Sequence, residues 1–407
     1  MRRDILAESE LQDNKQALIV ISFLKTKQST SYHRLDRRNI LSIVVFILIF
    51  SVVVFSHELG HFLLARRGGI KVNEFTIGMG PVIWKRQGKI CVYSLRLFPI
   101  GGACMFEGED GKTTDVEKKN ETLIEKTPVE SVEMKDTKSG NFQDASVWVR
   151  ISTVVAGPLF NLLLAFLLSL ILVGFSGTDL PVVTDVMEGF PAQEAGVLPG
   201  DRIISMNNQR IHLYREVSLI SYANRGEEIE IVYSRNGEEK QTVITPKLDS
   251  ETGRYYIGFM GAGEFVKCNP IETIQYSFYE VRYWLISTVK SLGMLVEGKV
   301  STSEMAGPVG IAQVIDTAID ETAPYGLGTV MLTILNIAIL LSVNLGVINL
   351  MPLPALDGGR LVFMLIELVR GKPVPPEKEG IVHLIGFVAL MLLMVFVLYN
   401  DIARIFG

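Results

Sequence analysis

Long apolar stretches alternate with polar segments along this chain, and four of them are long enough to cross a lipid bilayer. They cover residues 40–65, 149–175, 327–350 and 381–400, and each contains few charged residues. A bilayer-spanning helix needs about 20 predominantly apolar residues. The pattern therefore predicts a membrane α-helical protein with about four transmembrane helices.

The segments between these stretches predict two further regions. Residues 72–106 alternate partly with a two-residue period and contain several glycines, which indicates β structure. Residues 178–262 predict a soluble αβ module with a helix at Leu213–Asn224. Its expected strands are Pro181–Val186, Arg202–Ile204, Ile229–Ser234, Gln241–Pro246 and Tyr255–Phe259.

Apolar residues after this module recur at steps of three and four from Ile271 to Val296, which predicts an amphipathic helix. Two placements of this helix remain open. It lies at the bilayer interface, which we favour beside two membrane spans, or it packs on the core of the module.

Two polar segments carry neither pattern. Residues 1–38 are rich in Lys and Arg, and we expect a poorly ordered N-terminal extension. The alternative is a signal peptide with Ile40–Phe55 as its apolar core, but no small-residue cleavage site precedes the motif that follows. Residues 111–147 are charged and contain few aromatic residues, so we expect a flexible polar loop.

Candidate chemistry enters near the end of the first apolar stretch, where the sequence reads His57-Glu58-Leu59-Gly60-His61. Side chains four residues apart lie on one face of a helix, so His57 and His61 can bind one metal ion. Glu58 has the position of a general base in a zinc protease. In a spanning helix, the motif indicates a protease that acts within the membrane. A chance meeting of these residues is the alternative.

A hydrolytic zinc site usually has three protein ligands and one position open to water. The segment Asn349–Gly359 is the candidate source of the third ligand, because Pro352 and Pro354 interrupt the third apolar stretch just before Asp357. A lone aspartate at membrane depth is costly unless it is paired or bound to a metal. Asp357 is therefore the candidate ligand, and an ordinary Asp-Gly turn at the membrane surface is the alternative.

Composition adds three limits. Apolar residues make up 48% of the 407 residues, which fits a membrane protein with a soluble part. The net charge of −5 gives no basic field, so nucleic acid is not an expected partner. The cysteines, Cys91, Cys104 and Cys268, lack metal-ligand spacing and are expected to be free thiols.

Together, HExxH at 57–61 and NxxPxPxLDGG at 349–359 resemble the site-2 protease family of intramembrane zinc metalloproteases, in its bacterial regulator of sigma-E protease type. The resemblance covers residues 40–400. It implies Zn²⁺ as the cofactor, held by His57, His61 and Asp357, with Glu58 as the catalytic residue. It also implies substrate-binding roles for Asn349, Pro352, Pro354 and, through Gly157-Pro158-Leu159-Phe160-Asn161, for Asn161. Simple helix packing is the alternative for this last motif.

The same resemblance assigns roles to the regions between the spans. Residues 72–106 are similar to the family's re-entrant β-loop, which holds an unwound substrate like an added strand. A cytosolic hairpin without that role is the alternative. Phe190–Ile204 is similar to part of a PDZ domain, which in this family restricts access to the active site, as a gate or by binding a peptide. Ala306–Gly310 also matches a family segment, without a physical account from the sequence.

Basic residues near the spans predict the orientation of the chain. The first and third connections between spans are rich in Lys and Arg, which places both on the cytosolic side. The PDZ domain and both termini are then extracytoplasmic. His57 lies about 25 Å along the helix from Ile40 at about 1.5 Å per residue, and the hydrocarbon core is about 30 Å thick. The metal is therefore expected inside the cell membrane, near its cytosolic face.

These expectations describe an intramembrane zinc metalloendopeptidase that cleaves single-pass membrane proteins in or near their transmembrane segments. The family implies anti-sigma factors or signal-peptide remnants as substrates, and thus regulated intramembrane proteolysis. The lipid bilayer and these substrates are the expected partners, and the sequence gives no oligomeric state. The alternatives are a zinc-binding membrane scaffold or transporter with a PDZ domain and, less favoured, a soluble aminopeptidase-like enzyme.

The predicted domain boundaries follow from these assignments. They are 1–38 for the N-terminal extension, 39–66 for the first transmembrane helix with HExxH, 67–110 for the re-entrant β-loop, 111–147 for the flexible loop, 148–176 for the second transmembrane helix, 177–262 for the PDZ domain, 263–326 for the amphipathic helix and connector, 327–366 for the third transmembrane helix with LDGG, 367–380 for a cytosolic loop and 381–401 for the fourth transmembrane helix.

Overall fold

The structure is a computed structural model that describes residues 37–108, 140–224, 226–249, 255–261, 265–298 and 306–406. The predicted N-terminal extension and most of the predicted polar loop lie outside these residues. The chain divides into two compact units. The site unit comprises Ile43–Leu164 and Leu341–Tyr399, and the module unit comprises Met1–Ser42, Ala165–Leu340 and Asn400–Gly407.

The described elements are named here in chain order. The helices are α1 Arg37–Arg67, α2 Val147–Ser176, α3 Pro191–Glu194, α4 Tyr214–Asn224, α5 Pro270–Val296, α6 Pro308–Thr322, α7 Leu327–Leu350, α8 Asp357–Arg370 and α9 Pro376–Phe406. The strands are β1 Val72–Gln87, β2 Val92–Phe106, β3 Val183–Val186, β4 Arg202–Met206, β5 Gln209–Arg210, β6 Ile229–Arg235, β7 Glu238–Ile244, β8 Lys247–Leu248, β9 Tyr255–Tyr256 and β10 Phe259–Gly261.

The four predicted spans are confirmed as long apolar helices. In the described part of the chain, helices able to cross a membrane run over Ser42–Arg67, Val147–Ser176, Leu327–Leu350 and Pro376–Arg404, with mean hydropathies from 2.2 to 2.9. A helix satisfies its backbone hydrogen bonds internally, which a chain in lipid requires. Only 6% of the most apolar window of α9 is buried inside the protein, so its Leu, Val and Phe side chains are left to face lipid.

In the site unit, β1 and β2 bend so that each pairs with the other more than once. Phe75 of β1 has both Cys104 and Tyr93 of β2 as Cα partners, and Lys85 pairs with Ser94. The strands thus form several short segments, of which residues 102–106 pair only with the start of β1. Buried apolar side chains of α1, β1, β2, α2 and α8 form the core of this unit.

Gly102 is the point at which β2 passes closest to α1. A Cβ atom at this position would lie 2.8 Å from Cγ of Glu58 and 3.1 Å from Cγ1 of Val54. Real side chains do not approach this closely without a shift of their neighbours, so a glycine lets the strand lie against the HExxH turn of α1.

The module unit contains the predicted αβ module. Strands β5, β4, β6 and β7 form one sheet in that order, while β10 pairs with β3 and β8 with β9. The core is closed by apolar side chains of the four-stranded sheet, of the β3–β10 pair and of α4. Among them are Ile203, Met206, Ile229 and Ile231, none more than 1% exposed. The turn at Asn236-Gly237 has positive φ at both residues, which is the backbone of a tight two-residue hairpin.

A buried ionic cluster joins the start of the module to α4 and α5. Arg215 of α4 donates to Asp179, with Nη2 2.6 Å from Oδ1, and to Glu280 of α5, with Nη1 2.8 Å from Oε1. Trp284 Nε1 donates to the same Glu280 oxygen at 3.2 Å. Burial raises the pKa of the Glu280 carboxyl, and the nearby Arg215 guanidinium opposes that rise.

Helix α5 has one face packed on the module and another that is largely exposed. Its packed face is built around Glu280, Tyr283 and Trp284, whereas Ile271 and Phe278 on the apolar stripe are 78% and 62% exposed. The helix therefore packs on the module with its mixed polar and aromatic face. Most of the apolar stripe is exposed, although Val281 within it is buried. The placement of this stripe at the bilayer interface stays a prediction.

The segment Ala306–Gly310 forms the capped start of α6. The carboxylate of Asp401, 1% exposed near the end of α9, accepts from the amides of Gly307 at 3.1 Å and of Gly310 at 2.9 Å. A Cβ atom at Gly310 would lie 3.0 Å from Asp401 Oδ1. The motif therefore holds a carboxylate at a helix N-terminus, where free amides and the helix dipole favour negative charge.

Candidate metal centre

The two histidines of HExxH point the same nitrogen towards each other from one face of α1. Nε2 of His57 and Nε2 of His61 are 3.2 Å apart, and both residues are only 7% exposed. Their spacing of four residues on a helix produces this arrangement. The predicted pair is therefore brought together in the structure.

The third predicted ligand is delivered by the break between α7 and α8. Helix α7 ends at Leu350, and α8 begins at Asp357, so two helices occupy the stretch that was expected to be one transmembrane helix over 327–366. Pro352 and Pro354 lie in the break, where a proline cannot continue the hydrogen-bond ladder. Asp357 thus occupies the first turn of a new helix.

Glycines follow the aspartate because the turn folds back tightly on itself. A Cβ atom at Gly358 would lie 2.1 Å from the carbonyl oxygen of Met351, and one at Gly359 would lie 2.4 Å from that of Leu353. Ala355, two residues before the ligand, has a φ of 76°, which side chains rarely adopt. Its amide donates to Nδ1 of His383 in α9 at 2.8 Å, so α9 holds this turn in place.

Asp357 closes the group. Its Oδ2 atom lies 3.1 Å from His57 Nε2 and 3.3 Å from His61 Nε2. Two ligands of a tetrahedral zinc ion, each bound at about 2.0–2.1 Å, lie about 3.3 Å apart. Among the residues the structure describes, this is the one group of three such side chains with ligand atoms close enough to share an ion.

The donor set also has the chemistry of a zinc site. Nδ1 of His61 lies 2.9 Å from the carbonyl oxygen of Thr153, which can only accept, so Nδ1 carries the proton. In the neutral ring, Nε2 then offers a lone pair towards the Asp357 carboxylate. Acceptors that face one another at this distance repel unless a cation lies between them, so the residues fit a bound zinc ion.

Gly157 of α2 makes room for both rings. A Cβ atom there would lie 2.3 Å from His61 Nε2 and 2.9 Å from His57 Cε1. Gly60, between the histidines, has the same function towards α2, since its Cβ atom would lie 2.4 Å from the carbonyl oxygen of Ala156. The second span can therefore approach the HExxH turn only because both contact positions are glycines.

A cleft of about 600 Å³ opens beside the group. Glu58, 7% exposed, lines it together with the three ligand candidates. The other lining residues are Asn73, Gly102, Ala103, Cys104, Met105, Phe106, Glu107, Gly108, Val154, Ala355, Leu356 and Arg360. Residues 102–106 of β2, called the outer segment of β2 below, thus form one wall of the cleft. At its inner end the cleft reaches the HExxH turn.

The predicted substrate residues are placed less directly. Nδ2 of Asn349 lies 3.5 Å from His57 Nε2, and Pro352 is exposed, but neither residue lines the cleft, nor does Pro354. Asn161 is fully buried and lies against His57. Asn73 and Arg360 also line the cleft, and no motif of the sequence pointed to Asn73. Arg360 carried one signal, its position one helical turn after Asp357.

Comparisons with known proteins bear on this site. The model of "Peptidase family M50" matches residues 45–393. The zinc metalloprotease RasP of Geobacillus kaustophilus is 34% identical over 90% of this chain and 98% of that protein. The regulator of sigma-W protease RasP of Bacillus subtilis is 30% identical over 90% of this chain and 99% of that protein.

One solved structure resembles a part of the chain. The PDZ domain of the SdrC-like protein from Listeria monocytogenes is 20% identical and covers 22% of this chain and 90% of that one, with a TM-score of 0.18. A score this low does not establish a shared fold.

Proposed function

This chain belongs to peptidase family M50 and is an intramembrane zinc metalloprotease, and from that premise we propose a role for each residue of its metal centre. His57, His61 and Asp357 hold the zinc. Glu58 is the general base. The observation that carries this proposal is the convergence of three ligand atoms at 3.1–3.3 Å beside a cleft that Glu58 lines.

The chemistry follows from this placement. A zinc ion bound here would lower the pKa of a coordinated water far enough for that water to lose a proton near neutral pH. Glu58 stands next to His57 on α1 and faces the cleft, so its carboxylate takes a proton from water there and returns it to the leaving amine. The two histidines and the aspartate keep their positions because α1, α2 and the break before α8 hold them.

The substrate lies extended along the outer segment of β2. Residues 102–106 line the cleft and pair only with the start of β1, so an unwound peptide can add as the next strand. A helical peptide shields its own carbonyl groups and must unwind before attack. Asn349, Pro352 and Pro354 are proposed to contact the substrate backbone beside the ligands.

The substrates are single-pass membrane proteins cut in or near their spans. The Bacillus subtilis relative is named a regulator of sigma-W protease, which supports an anti-sigma factor or a similar membrane-anchored regulator as the substrate class. Signal-peptide remnants share the same chemistry, a short apolar helix left in the bilayer. Regulated intramembrane proteolysis is the corresponding process.

The metal centre is proposed to lie near the cytosolic face of the cell membrane. Lys and Arg are concentrated in the connections after the first and third spans, which supports a cytosolic position for the β1–β2 region and for the segment between α8 and α9. The module of residues 177–262 and both termini are then extracytoplasmic.

The module is proposed to be a PDZ domain that acts as a gate. On β10, Tyr214 Oη donates to the Phe259 carbonyl at 3.1 Å. Its ring also fills the space over Gly261, where a Cβ atom would lie 1.9 Å from Tyr214 Cε2. Since β3 pairs with the same strand, little room is left for an added peptide strand. This favours restriction of access over peptide binding.

A zinc-binding scaffold or transporter is not favoured. A structural zinc site is normally closed by four protein ligands, whereas a catalytic one keeps a position open. Within the described residues the group offers three ligands, and the cysteines there form no disulfide and take no part in it.

Cleavage of reporter helices tests the proposal. The full chain is purified in detergent and reconstituted with a panel of single-span reporters. Glu58→Gln should lower the cleavage rate by at least about 10²–10⁴-fold, the usual contribution of a general base, while it leaves bound zinc unchanged by elemental analysis. Glu239→Gln, on the exposed part of β7, is the matched control and should keep both. Reporter cleavage by Glu58→Gln at the wild-type rate would refute the base assignment.

A further inference from the structure

The second span reaches the metal centre with one polar side chain, that of Asn161. It is 0% exposed, and its Nδ2 atom lies 3.4 Å from Nδ1 of His57. Its Oδ1 atom has no hydrogen-bond partner among the residues that the structure describes. A buried acceptor without a partner costs free energy comparable to a lost hydrogen bond. An interaction that satisfies Asn161 Oδ1 is therefore expected in the functional protein.

Metal binding by His57 supplies that reason. Its Nε2 atom faces His61 and Asp357, so this nitrogen must present a lone pair when it binds an ion. In a neutral imidazole the proton then sits on Nδ1, which becomes a donor. A donor at this position requires an acceptor, and the side chain within reach is that of Asn161.

A half-turn of the Asn161 amide places its oxygen where its nitrogen lies, because the two atoms occupy nearly the same volume. The otherwise unpartnered Oδ1 then accepts from His57 Nδ1–H. We infer that Asn161 is a positioning residue for the metal centre, which fixes the tautomer and the ring orientation of His57. The inference rests on the proposed zinc ligands and gives Asn161 a role other than substrate binding.

The surroundings of Asn161 support this role. Ser342 Oγ of α7 donates to the main-chain carbonyl of Asn161 at 2.8 Å. A Cβ atom at Gly346 would lie 3.1 Å from the carbonyl oxygen of Pro158, so a glycine lets α7 pack closely on α2. The asparagine is thus held from its backbone and has no exposed surface for a peptide. It does not line the cleft.

Helix α2 then orients both histidines, because it supplies a hydrogen-bond partner to the Nδ1 atom of each. The Thr153 carbonyl accepts from His61 Nδ1. With its amide turned, the Asn161 side chain, now 3.4 Å from His57 Nδ1 through Nδ2, accepts from that nitrogen. The glycine between them, Gly157, leaves space for the rings. A ligand histidine commonly donates its second nitrogen to such an outer partner, and loss of that partner typically weakens metal binding about 10–100-fold.

Zinc affinity tests the inference directly. The full chain in detergent is titrated with Zn²⁺ against a chromophoric chelator, and the Co²⁺-substituted protein is followed by its visible absorption. Asn161→Leu keeps the number and branching of the side-chain heavy atoms and removes the acceptor, and it should weaken Zn²⁺ binding about 10–100-fold. Asn161→Asp keeps an acceptor and should restore wild-type affinity and spectrum. Asn336→Leu replaces another buried asparagine, 2% exposed in α7, and should change neither.

The outcomes separate this inference from the proposed ligands. Wild-type affinity in Asn161→Leu would overturn it, and so would an equal loss in Asn161→Leu and Asn161→Asp, because the acceptor would then not be what matters. A comparable loss in Asn336→Leu would attribute the effect to general loosening of the helices and also overturn it. If the wild type itself binds no zinc at this site, the proposed ligand set fails first.

Discussion

Each unit of the molecule contains a buried or half-buried cluster of three ionisable side chains, and these two clusters are built in opposite ways. In the module unit, the Arg215 guanidinium donates to both Asp179 and Glu280. In the site unit, two histidine nitrogens and an aspartate oxygen converge at 3.1–3.3 Å, the spacing of ligand atoms that share one metal ion. The first cluster contains its own counter-charge, and the second needs one from outside.

This difference distinguishes a buried ionic cluster that stabilises the fold from one that can bind a metal ion. A guanidinium fork satisfies carboxylates in a fixed plane and needs no further partner, so the module cluster joins α4 and α5 to the start of the module. The three convergent side chains are the proposed ligands of a metal ion, and α2 is proposed to hold the outer nitrogens of both histidines. Four substitutions sharpen this comparison, in order of decreasing effect.

The largest effect is expected from Asp357→Asn. A neutral amide oxygen is a poorer zinc ligand than a carboxylate, so zinc affinity should fall more than the about 10–100-fold typical of outer-shell changes, and cleavage should become undetectable. Zinc content after gel filtration and reporter cleavage measure this. Asp185→Asn, at an exposed position of β3, is the control. Full zinc content and activity in Asp357→Asn would remove Asp357 from the site.

Arg215→Met should break the other cluster without touching the site. It leaves the buried carboxylates of Asp179 and Glu280 without their cation, and removal of one partner from a buried ion pair typically costs about 3–5 kcal/mol. The midpoint of thermal unfolding should fall markedly, while the folded protein keeps its zinc. A change in stability below about 1 kcal/mol, as for an exposed pair, would contradict the view that this cluster is structural.

Gly157→Ala tests the crowding around the ligand rings. The added methyl would lie 2.3 Å from His61 Nε2, so a ring or a helix must move. Overpacking of this kind typically costs about 1–3 kcal/mol, and here it should appear mainly as weaker zinc binding. Gly174→Ala in the same helix is a matched control, because its nearest neighbour, Thr273 Cγ2, is at an ordinary 3.8 Å. Equal zinc affinity in the two variants would contradict the close approach.

The smallest effect is expected from Glu280→Gln, and it is a change of pH dependence. Because burial raises the pKa of Glu280, the folded chain binds this proton more tightly than the unfolded chain does. The stabilisation from Glu280 is therefore complete below the unfolded value of 4.5 and is lost as the pH rises through the folded one.

Glutamine cannot titrate, but its oxygen can still accept from Arg215 and Trp284. The melting temperature of Glu280→Gln should thus lack the decline that the wild type shows above about pH 4.5, the onset set by proton linkage. Melting curves across mildly acidic to neutral pH measure this, with the exposed Glu239→Gln as control. Parallel pH profiles of wild type and Glu280→Gln would contradict the raised pKa.

Much of the fold was predictable where a pattern repeats over many residues. The spans and the amphipathic period of α5 are long signals, and the prolines between Asn349 and Asp357 predicted the interruption of the third span. The ends of the strands were harder to predict from the sequence. β7 begins at Glu238, three residues before the predicted Gln241, because the turn at Asn236-Gly237 pairs Arg235 with Glu238. The exposed polar residues that open β7 carry no alternation.

The outer parts of the site could not be predicted for a physical reason. HExxH and LDGG indicate the proposed ligands through local spacing, but the hydrogen-bond partners of the two histidines come from another helix. Thr153 acts through its main chain, which no residue type records. His383 is a single histidine in an apolar helix and has no spacing to a second polar residue of the site. For α5, the spacing of apolar residues located the apolar face of the helix. It did not predict that the face with Glu280, Tyr283 and Trp284 packs on the module.

The hydrogen bond from Ala355 to His383 makes α9 more than an anchor in lipid. A left-handed alanine stores strain that its surroundings must offset, and the imidazole that holds its amide belongs to the last helix of the chain. A fragment that ends before Pro376 would still contain HExxH and the LDGG motif. It would lack the hydrogen bond from Ala355 to His383, which holds the turn before Asp357. The presence of both motifs would therefore not be enough to place Asp357 beside the two histidines.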